Sequence, residues 1–371
     1  DQDSSTEIAR LGGDEFAIIA PNIADAQGAS RHAQKIVDTL AEPFRIDGQD
    51  LYVSTSVGIA LAPPDGTEPA DLLKCSDMAL YKAKADGRGR YHFYDEEMNI
   101  AAQDRRVLEA NLRRALEEDQ FELYYQPKVD IVTGQVLGTE SLIRWNQPDH
   151  GLIPPDEFIP AAEKCQLIVD IGDWVLRETC RQNVAWRNAG IPALNCSVNL
   201  SPHQLKDSRL LASIDRALDE SGLEHGCLEI EITESAILDN MAIISAFLGM
   251  MRMRGVSVSI DDFGTGYSSL THLKQLPVDK LKIDRSFVSN LPASDGDAAI
   301  TSAAISLGQT FGLKVIAEGV EDRAQLEFLR REGCDEAQGY FMSRPLPADE
   351  FAEWYRRWPG SGGIENRAAG F

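Results

Sequence analysis

Apolar residues along this chain follow two rhythms: short runs with a two-residue period and longer stretches with a three- to four-residue period. The first marks a half-buried strand and the second an amphipathic helix. From Phe121 to about Trp358 the two rhythms alternate. Strands are predicted at Phe121–Val129, Gln135–Leu142, Asn195–Leu200, Cys227–Thr233, Val256–Asp261, Lys280–Ile283, Lys314–Glu318 and Ala337–Phe341. Amphipathic stretches such as Trp174–Ala189 and Ser208–Glu220 separate most of them. Eight strands with helices between them, over roughly the ~250 residues such a fold needs, predict an α/β chain built on a (β/α)8 TIM-like barrel. No short internal repeat is visible, which excludes a solenoid.

The residues before the barrel read differently. Leu11-Gly12-Gly13-Asp14-Glu15-Phe16 joins two short apolar runs, and Gly-Gly is a hairpin-turn signal. A helix is predicted from Ala26 to Leu40, a strand from Leu51 to Ala60, and a second helix from Pro69 to Ala85. That helix stops at Asp86-Gly87-Arg88-Gly89-Arg90, where glycine favours a C-cap. Residues 1–95 are too strand-poor for a complete α/β domain, so a partial one is expected. In residues 96–119, Val107, Leu108, Asn111, Leu112, Ala115 and Leu116 recur at three- and four-residue steps, as in a connector helix with one apolar stripe. The barrel is assigned to 120–358 and a flexible tail to 359–371. The start, Asp1-Gln-Asp-Ser-Ser, has neither an initiating Met nor the make-up of a signal peptide. A fragment of a longer protein is therefore expected, one whose missing part could carry a membrane anchor.

Strand parity brings chemistry into the barrel. Side chains alternate between the two faces of a strand. Leu228, Ile230 and Ile232 share one face, which leaves Glu229, Glu231 and Thr233 on the other. The same alternation sets Val256, Val258 and Ile260 against Ser257, Ser259 and Asp261. It also sets Leu281 and Ile283 against Lys280, Lys282 and Asp284, and Val198 and Leu200 against Ser197, Asn199 and Ser201. With the apolar faces toward the helices, Asn199, Glu231, Asp261 and Lys282 point into the barrel. Glu140 and Glu318 lie at or near the C-terminal ends of their strands, where barrels of this class build active sites.

Glu140, Glu231, Asp261, Asp262 and Glu318 would then crowd five carboxylates into one mouth. Two bare carboxylates ~4 Å apart repel by about 4 kcal/mol at an effective dielectric near 20. Lys282 alone cannot neutralise the set, so either several acids are protonated or divalent cations sit among them. An all-oxygen set suits Mg²⁺ or Mn²⁺ better than zinc. Consecutive Asp261 and Asp262 suit two neighbouring ions, the arrangement used for in-line attack on phosphodiesters.

Composition narrows the classes. A net charge of -23 argues against a nucleic-acid polymer as partner, which needs a basic face, but leaves room for a small anion. The hydrophobic fraction of 43% supports a packed core. Six scattered cysteines without a CxxC pair read as reduced intracellular thiols, and the six histidines show no metal-ligand spacing. No apolar run approaches spanning length, so no membrane contact by this stretch is expected.

The order of motifs then becomes specific. Tyr125-Gln126-Pro127, Glu140-Ser141-Leu142-Ile143-Arg144-Trp145, Phe158-Ile159-Pro160, Asn199-Leu200-Ser201 and Glu231-Ile232-Thr233-Glu234 come first. Asp261-Asp262-Phe263-Gly264-Thr265-Gly266-Tyr267-Ser268-Ser269-Leu270, Lys282-Ile283-Asp284, Ala317-Glu318-Gly319-Val320-Glu321 and Gln338-Gly339-Tyr340-Phe341 follow. Over about residues 120–350 this resembles the EAL family of cyclic-di-GMP phosphodiesterases. The resemblance implies metal-dependent hydrolysis of cyclic-di-GMP to linear pGpG, in the cytoplasm, by a homodimer with two divalent cations, Mg²⁺ or Mn²⁺. It maps cation ligands onto Glu140, Asn199, Glu231 and Asp261, and onto Asp261, Asp262 and Glu318. Catalytic roles fall on Lys282, Glu318 and Glu321, and substrate contacts on Gln126, Leu142, Arg144, Asp284 and Gln338. Coupling between a loop and the dimer falls on Glu234, Gly264 and Gly266. The chain departs from the family at the signature itself, Glu-Ser-Leu rather than Glu-Ala-Leu. A non-catalytic cyclic-di-GMP receptor and a parent bifunctional with cyclase activity are the alternatives. Residues 1–95 resemble the C-terminal half of a GGDEF diguanylate cyclase domain, with Gly12–Phe16 on its active-site hairpin. The family's metal-binding strand and phosphate loop have no counterpart in this chain, and its inhibitory Arg-x-x-Asp falls on Asp3–Thr6, which lacks both charges. This piece alone is expected to make no cyclic-di-GMP.

Overall fold

The computed structural model describes residues 6–21, 23, 25–46, 49–148, 150–239, 241–265 and 276–358. The tail expected at 359–371, Gly266 and residues 3–5 lie outside them. The chain forms two compact units, Asp1–Leu108 and Glu109–Phe371.

In the first unit, β1 (Glu7–Gly12) and β2 (Glu15–Ile19) make an antiparallel hairpin. Its tight turn needs a left-handed residue, and Gly13 supplies it at φ 53°. The helix Ala26–Ala41 starts at Asp25, whose side chain accepts the N–H of Gly28 at 2.7 Å. β3 (Phe44–Ile46) pairs antiparallel with β4 (Gln49–Leu51), and β5 (Val57–Ile59) pairs parallel with β6 (Tyr91–Phe93) across the helix Pro69–Ala85. The single strand expected at Leu51–Ala60 is thus two short strands with different partners. Between them the polar run Ser54-Thr55-Ser56 has no ladder to join. The helix Pro69–Ala85 lies directly on β5, where a Cβ on Gly58 would meet the carbonyl oxygen of Ser76 at 2.0 Å. A 22-residue helix spans Glu96–Glu117, and within the second unit Leu112 and Ala115 are buried.

The second unit is a closed ring of eight strands with β9 (Gly151–Ile153) and β16 (Leu346–Pro347) added outside it. In order the ring is β7 (Phe121–Asp130), β8 (Val136–Gln147), β10 (Asn195–Leu200), β11 (Leu228–Thr233), β12 (Ser257–Phe263), β13 (Lys280–Ile283), β14 (Lys314–Ala317) and β15 (Glu336–Gln338). β7 closes it by pairing with both β8 and β15, antiparallel to each, while every other ring pair is parallel. The expected barrel is therefore present with one strand reversed. The physical reason is the short link Ile131–Gln135, held as a turn by Asp130 Oδ1 accepting from Val132 and Thr133. A parallel crossover needs a dozen residues or more. Reversal places Gln126 opposite Glu140, so β7 delivers its early residues to the mouth.

Amphipathic helices cover the outside. Ile168–Asn188 buries Ile171, Val175, Leu176, Cys180 and Trp186, and Leu210–Ser221 buries Ile214, Ala217 and Leu218 before a left-handed Gly222 stops it. Among the described residues no helix is long and apolar enough to cross a membrane.

Candidate active site at the barrel mouth

Interior positions of the ring are polar almost throughout. Register carries them around the barrel: Ser197 lies beside Glu140 and Glu229, Asn199 beside Glu231, Ser259 beside Glu231 and Lys280. The residues between them, among them Val198, Leu228, Ile230, Ile232, Val258, Ile260, Leu281 and Ile283, fill the layer on the other face.

Lys282 stands at the centre of the mouth, 0% exposed. Its Nζ lies 2.5 Å from Glu231 Oε2, 2.6 Å from Glu318 Oε1, 3.1 Å from Asp261 Oδ1 and 3.8 Å from Glu140 Oε2. Glu140 is fixed by amides: Asn199 Nδ2 donates to its Oε1 at 2.7 Å, and Gln338 Nε2 donates to its Oε2 at 2.5 Å. Gln338 Nε2 also donates to Gln126 Oε1 at 3.0 Å, and Gln126 Nε2 donates to the carbonyl of Ser343 at 3.1 Å. Strands β7, β8, β10 and β15 thereby hold one carboxylate in one place.

Alternation alone would send Asp261 and Asp262 to opposite faces. The ladder between β12 and β13 slips by one residue between Ile260 and Phe263, and Asp262 takes φ 55°. Such a bulge re-aims a side chain, and Asp tolerates the left-handed conformation. Both aspartates consequently reach the mouth, where Asp261, Asp262 and Glu318 each offer a carboxylate oxygen within 4.8 Å of the others. Asp262 N also donates to Asp261 Oδ1 at 2.9 Å. This cluster of hard oxygen donors fits a divalent cation.

The electrostatics show how short of positive charge the mouth is. Burial opposes the charge on Lys282, but Asp261, Glu140, Glu231 and Glu318 hold its ammonium well above the usual lysine range. Burial would raise Glu231, yet Lys128 and Lys282 together hold it well below the carboxylate range. For the remaining acids burial wins. It raises Glu140 and Asp261 against the pull of Lys282, raises Asp262 with help from Asp284, and pushes Glu318 up to about 8.

Around this centre the other expected residues are dispersed. Leu142 and Arg144 follow Glu140 on the same face of β8, and the Arg144 guanidinium lies 5.4 Å over the Tyr124 ring. Burial lowers that guanidinium's pKa. Asp284, half-buried, spends its side chain on the N–H of Ser286 at 3.0 Å, capping the turn Arg285–Val288. Glu321 is exposed, and its backbone N–H donates to Gln325 Oε1 at 2.7 Å. Glu234 is buried, and its Oε2 accepts from Gly264 N at 2.9 Å. Gly264 has φ 101°, and a Cβ there would come within 2.9 Å of the Phe287 ring.

Sequence reasoning missed Lys128. Its Nζ is 2.6 Å from Glu231 Oε1 and 3.1 Å from Glu229 Oε1, so Glu231 is shared by two ammonium groups. The signal was present, because Lys128 lies two residues from Gln126 on one face of β7.

Comparison with known proteins bears on these geometries. The EAL domain family matches residues 109–345, and the diguanylate cyclase GGDEF domain family matches residues 2–90. The bifunctional diguanylate cyclase/cyclic di-GMP phosphodiesterase MucR of Pseudomonas aeruginosa is 46% identical over 343 residues, covering 92% of this chain and 50% of that protein. The cyclic di-GMP phosphodiesterase NbdA of the same organism is 41% identical over 354 residues, covering 95% of this chain and 45% of that protein. A solved structure of the PaMucR phosphodiesterase in complex with c-di-GMP superposes with a TM-score of 0.64 at 48% identity, over 66% of this chain and 99% of that one. The chain spans about half the length of the curated relatives it matches.

Proposed function

Because the chain belongs to the EAL domain family, we propose that it hydrolyses one phosphodiester of cyclic-di-GMP to give linear pGpG. The observation that carries the reading is the surplus of carboxylate over ammonium at the mouth, where Asp261, Asp262 and Glu318 converge. Two divalent cations, Mg²⁺ or Mn²⁺, would supply the missing positive charge and, when bound, Lewis acidity toward the phosphoryl oxygens. Glu140, Asn199, Glu231 and Asp261 would hold one, and Asp261, Asp262 and Glu318 the other.

The protein's own groups would do the rest. Lys282, 2.6 Å from Glu318, would orient the attacking water, and Glu318 would take its proton. With its proton displaced by a bound cation, the Glu318 carboxylate would be free to accept the proton of the water. The water oxygen bonds to phosphorus as the bond to the ribose 3′ oxygen breaks, Glu318 takes the water's proton, and the 3′ oxygen leaves as a hydroxyl on taking a proton from solvent. Arg144 would grip a phosphate through its forked donors. Gln126, Leu142, Asp284 and Gln338 would contact the nucleotide, and Glu321 would act from the rim. The Glu234 contact to Gly264 would brace the loop that passes through Gly266, coupling the site to a homodimer contact in the cytoplasm. The domain scheme of a partial GGDEF segment, a connector helix and a catalytic barrel belongs to the same reading.

Incubating the full chain with cyclic-di-GMP and Mg²⁺ or Mn²⁺, and resolving the products by chromatography, tests it. Formation of pGpG that stops on chelation is expected. Tight binding without pGpG would make the chain a receptor and overturn the proposal. The GGDEF match at residues 2–90 favours a second reading for the longer parent, a cyclase as well as a phosphodiesterase, which GTP turnover by that parent would decide.

A further inference from the structure

Beneath the mouth, the barrel interior holds a ladder of buried charges that alternate in sign. Glu336 Oε1 lies 3.2 Å from Lys280 Nζ, and Lys280 Nζ lies 3.0 Å from Glu229 Oε2. Glu229 Oε1 is 3.1 Å from Lys128 Nζ, which in turn is 2.6 Å from Glu231 Oε1. Lys128 is 0% exposed, and its ammonium has three donors. All three are taken, by Glu231, Glu229 and the hydroxyl of Ser197 at 2.8 Å. The group therefore has one satisfied orientation, and it ties a single oxygen of Glu231 to a fixed point.

We propose that Lys128 is a positioning residue of the cation site. Its ammonium anchors Glu231 Oε1 from below, so that Oε2, the oxygen 2.5 Å from Lys282, is the one presented to the mouth. Glu229 is the counter-charge that lets Lys128 stay in a dry interior, and Lys280 with Glu336 balances Glu229 in turn. Loss of a group that orients a ligand from outside the coordination sphere typically costs about 10- to 100-fold in metal affinity or activity. The inference rests on the reading of Glu231 as a cation ligand.

Mn²⁺ titration calorimetry on the full chain separates this role from mere packing. Replacing Lys128 alone would leave Glu229 with Lys280 alone and Glu231 with Lys282 alone, an excess of buried negative charge, so the informative variant is Lys128→Met/Glu229→Gln, which removes one charge of each sign. Glu231→Gln serves as the ligand control. The double variant should fold, bind Mn²⁺ about 10- to 100-fold more weakly, and regain most of its kcat at saturating Mn²⁺. Ser197→Ala, which removes the hydrogen bond from Lys128 at 2.8 Å and the one to the Thr139 carbonyl at 3.5 Å but no charge, should weaken Mn²⁺ binding by a smaller factor, roughly threefold. A folded double variant with the affinity of the parent chain overturns the proposal. If the double variant does not fold, Ser197→Ala decides: weakened binding supports the role and unchanged binding overturns it. If Glu231→Gln binds Mn²⁺ as the parent does, the assignment of Glu231 as a ligand fails first, and that failure is distinct from loss of the Lys128 role alone.

Discussion

Two layers of the same barrel interior handle charge in opposite ways. In the inner layer Lys128 and Lys280 face Glu229 and Glu336, so each buried charge has a partner of opposite sign. At the mouth, Glu140, Asp261 and Glu318 depend on Lys282, which they share with Glu231. Burial lifts Glu140, Asp261, Asp262 and Glu318, whereas Glu229 and Glu231, which Lys128 reaches, are lowered against it; in the inner layer Glu336, reached by Lys280, is raised by burial too. Charge is largely balanced in the inner layer, and the imbalance falls at the mouth, where the proposed cations would sit. Buried acids alone do not locate a site; the unmet charge does.

The sharpest break in this contrast is loss of function without loss of fold. Glu140→Ala and Asp261→Ala should each lower metal-dependent turnover of cyclic-di-GMP by at least about a thousandfold, equivalent to roughly 4 kcal/mol, with circular dichroism unchanged. Full activity in either would remove the mouth from the chemistry.

Stability should respond in the reverse sense. Glu229→Gln leaves Lys128 and Lys280 short of a counter-charge, and breaking a buried pair of this kind costs about 3–5 kcal/mol in urea unfolding. Asp261→Asn, measured with chelator present, removes a carboxyl that already resists ionisation and should leave stability unchanged or higher. Equal losses in the two variants would erase the distinction between the layers.

Proton linkage gives a smaller effect. Glu318 titrates at about 8, so below that pH a bound cation must displace its proton. Mn²⁺ affinity should therefore rise with pH up to about 8, by at most about tenfold per unit for each proton displaced. Calorimetry in buffers of different ionisation enthalpy counts those protons, and an affinity that is flat or falls over this range would contradict proton displacement from Glu318.

The smallest change concerns the signature position. Ser141 is buried, and its hydroxyl finds no hydrogen-bond partner among the described residues. It lies opposite Val198 on β10, on the face away from the cluster. Ser141→Ala should raise stability by about 1 kcal/mol and leave kcat unchanged. A fall in kcat would mean that the hydroxyl reaches the chemistry.

Much of the fold was legible because a two-residue period survives in ring strands such as β10, β11 and β13, although β14 runs Val315-Ile316-Ala317 without one. Asn195–Leu200 and Lys280–Ile283 begin and end where alternation puts them. The reversal of β7 was not read, although the few residues between Val129 and Gln135 are too short a link for a crossover. Parity brought Glu231, Asp261 and Lys282 to one face, but it argued against Asp262, which arrives through a bulge and a left-handed φ that no periodicity encodes. Lys128 escaped because a lysine in a strand is ordinarily a solvated residue. Only closure of the ring, bringing β7 across from β11, reveals that it faces carboxylates. Leu51–Ala60 misled for the converse reason, since its period continues while its ladder partner changes.

The most direct test is a crystal of the full chain grown with Mn²⁺ and cyclic-di-GMP, measured at a wavelength where manganese scatters anomalously. Strong anomalous peaks bounded by Asp261, Asp262 and Glu318, and by Glu140, Asn199 and Glu231, next to a ligand phosphate, are expected. Ligand bound at a mouth without anomalous signal, its acids paired with protein groups alone, would contradict the claim that the unmet charge there is a cation site.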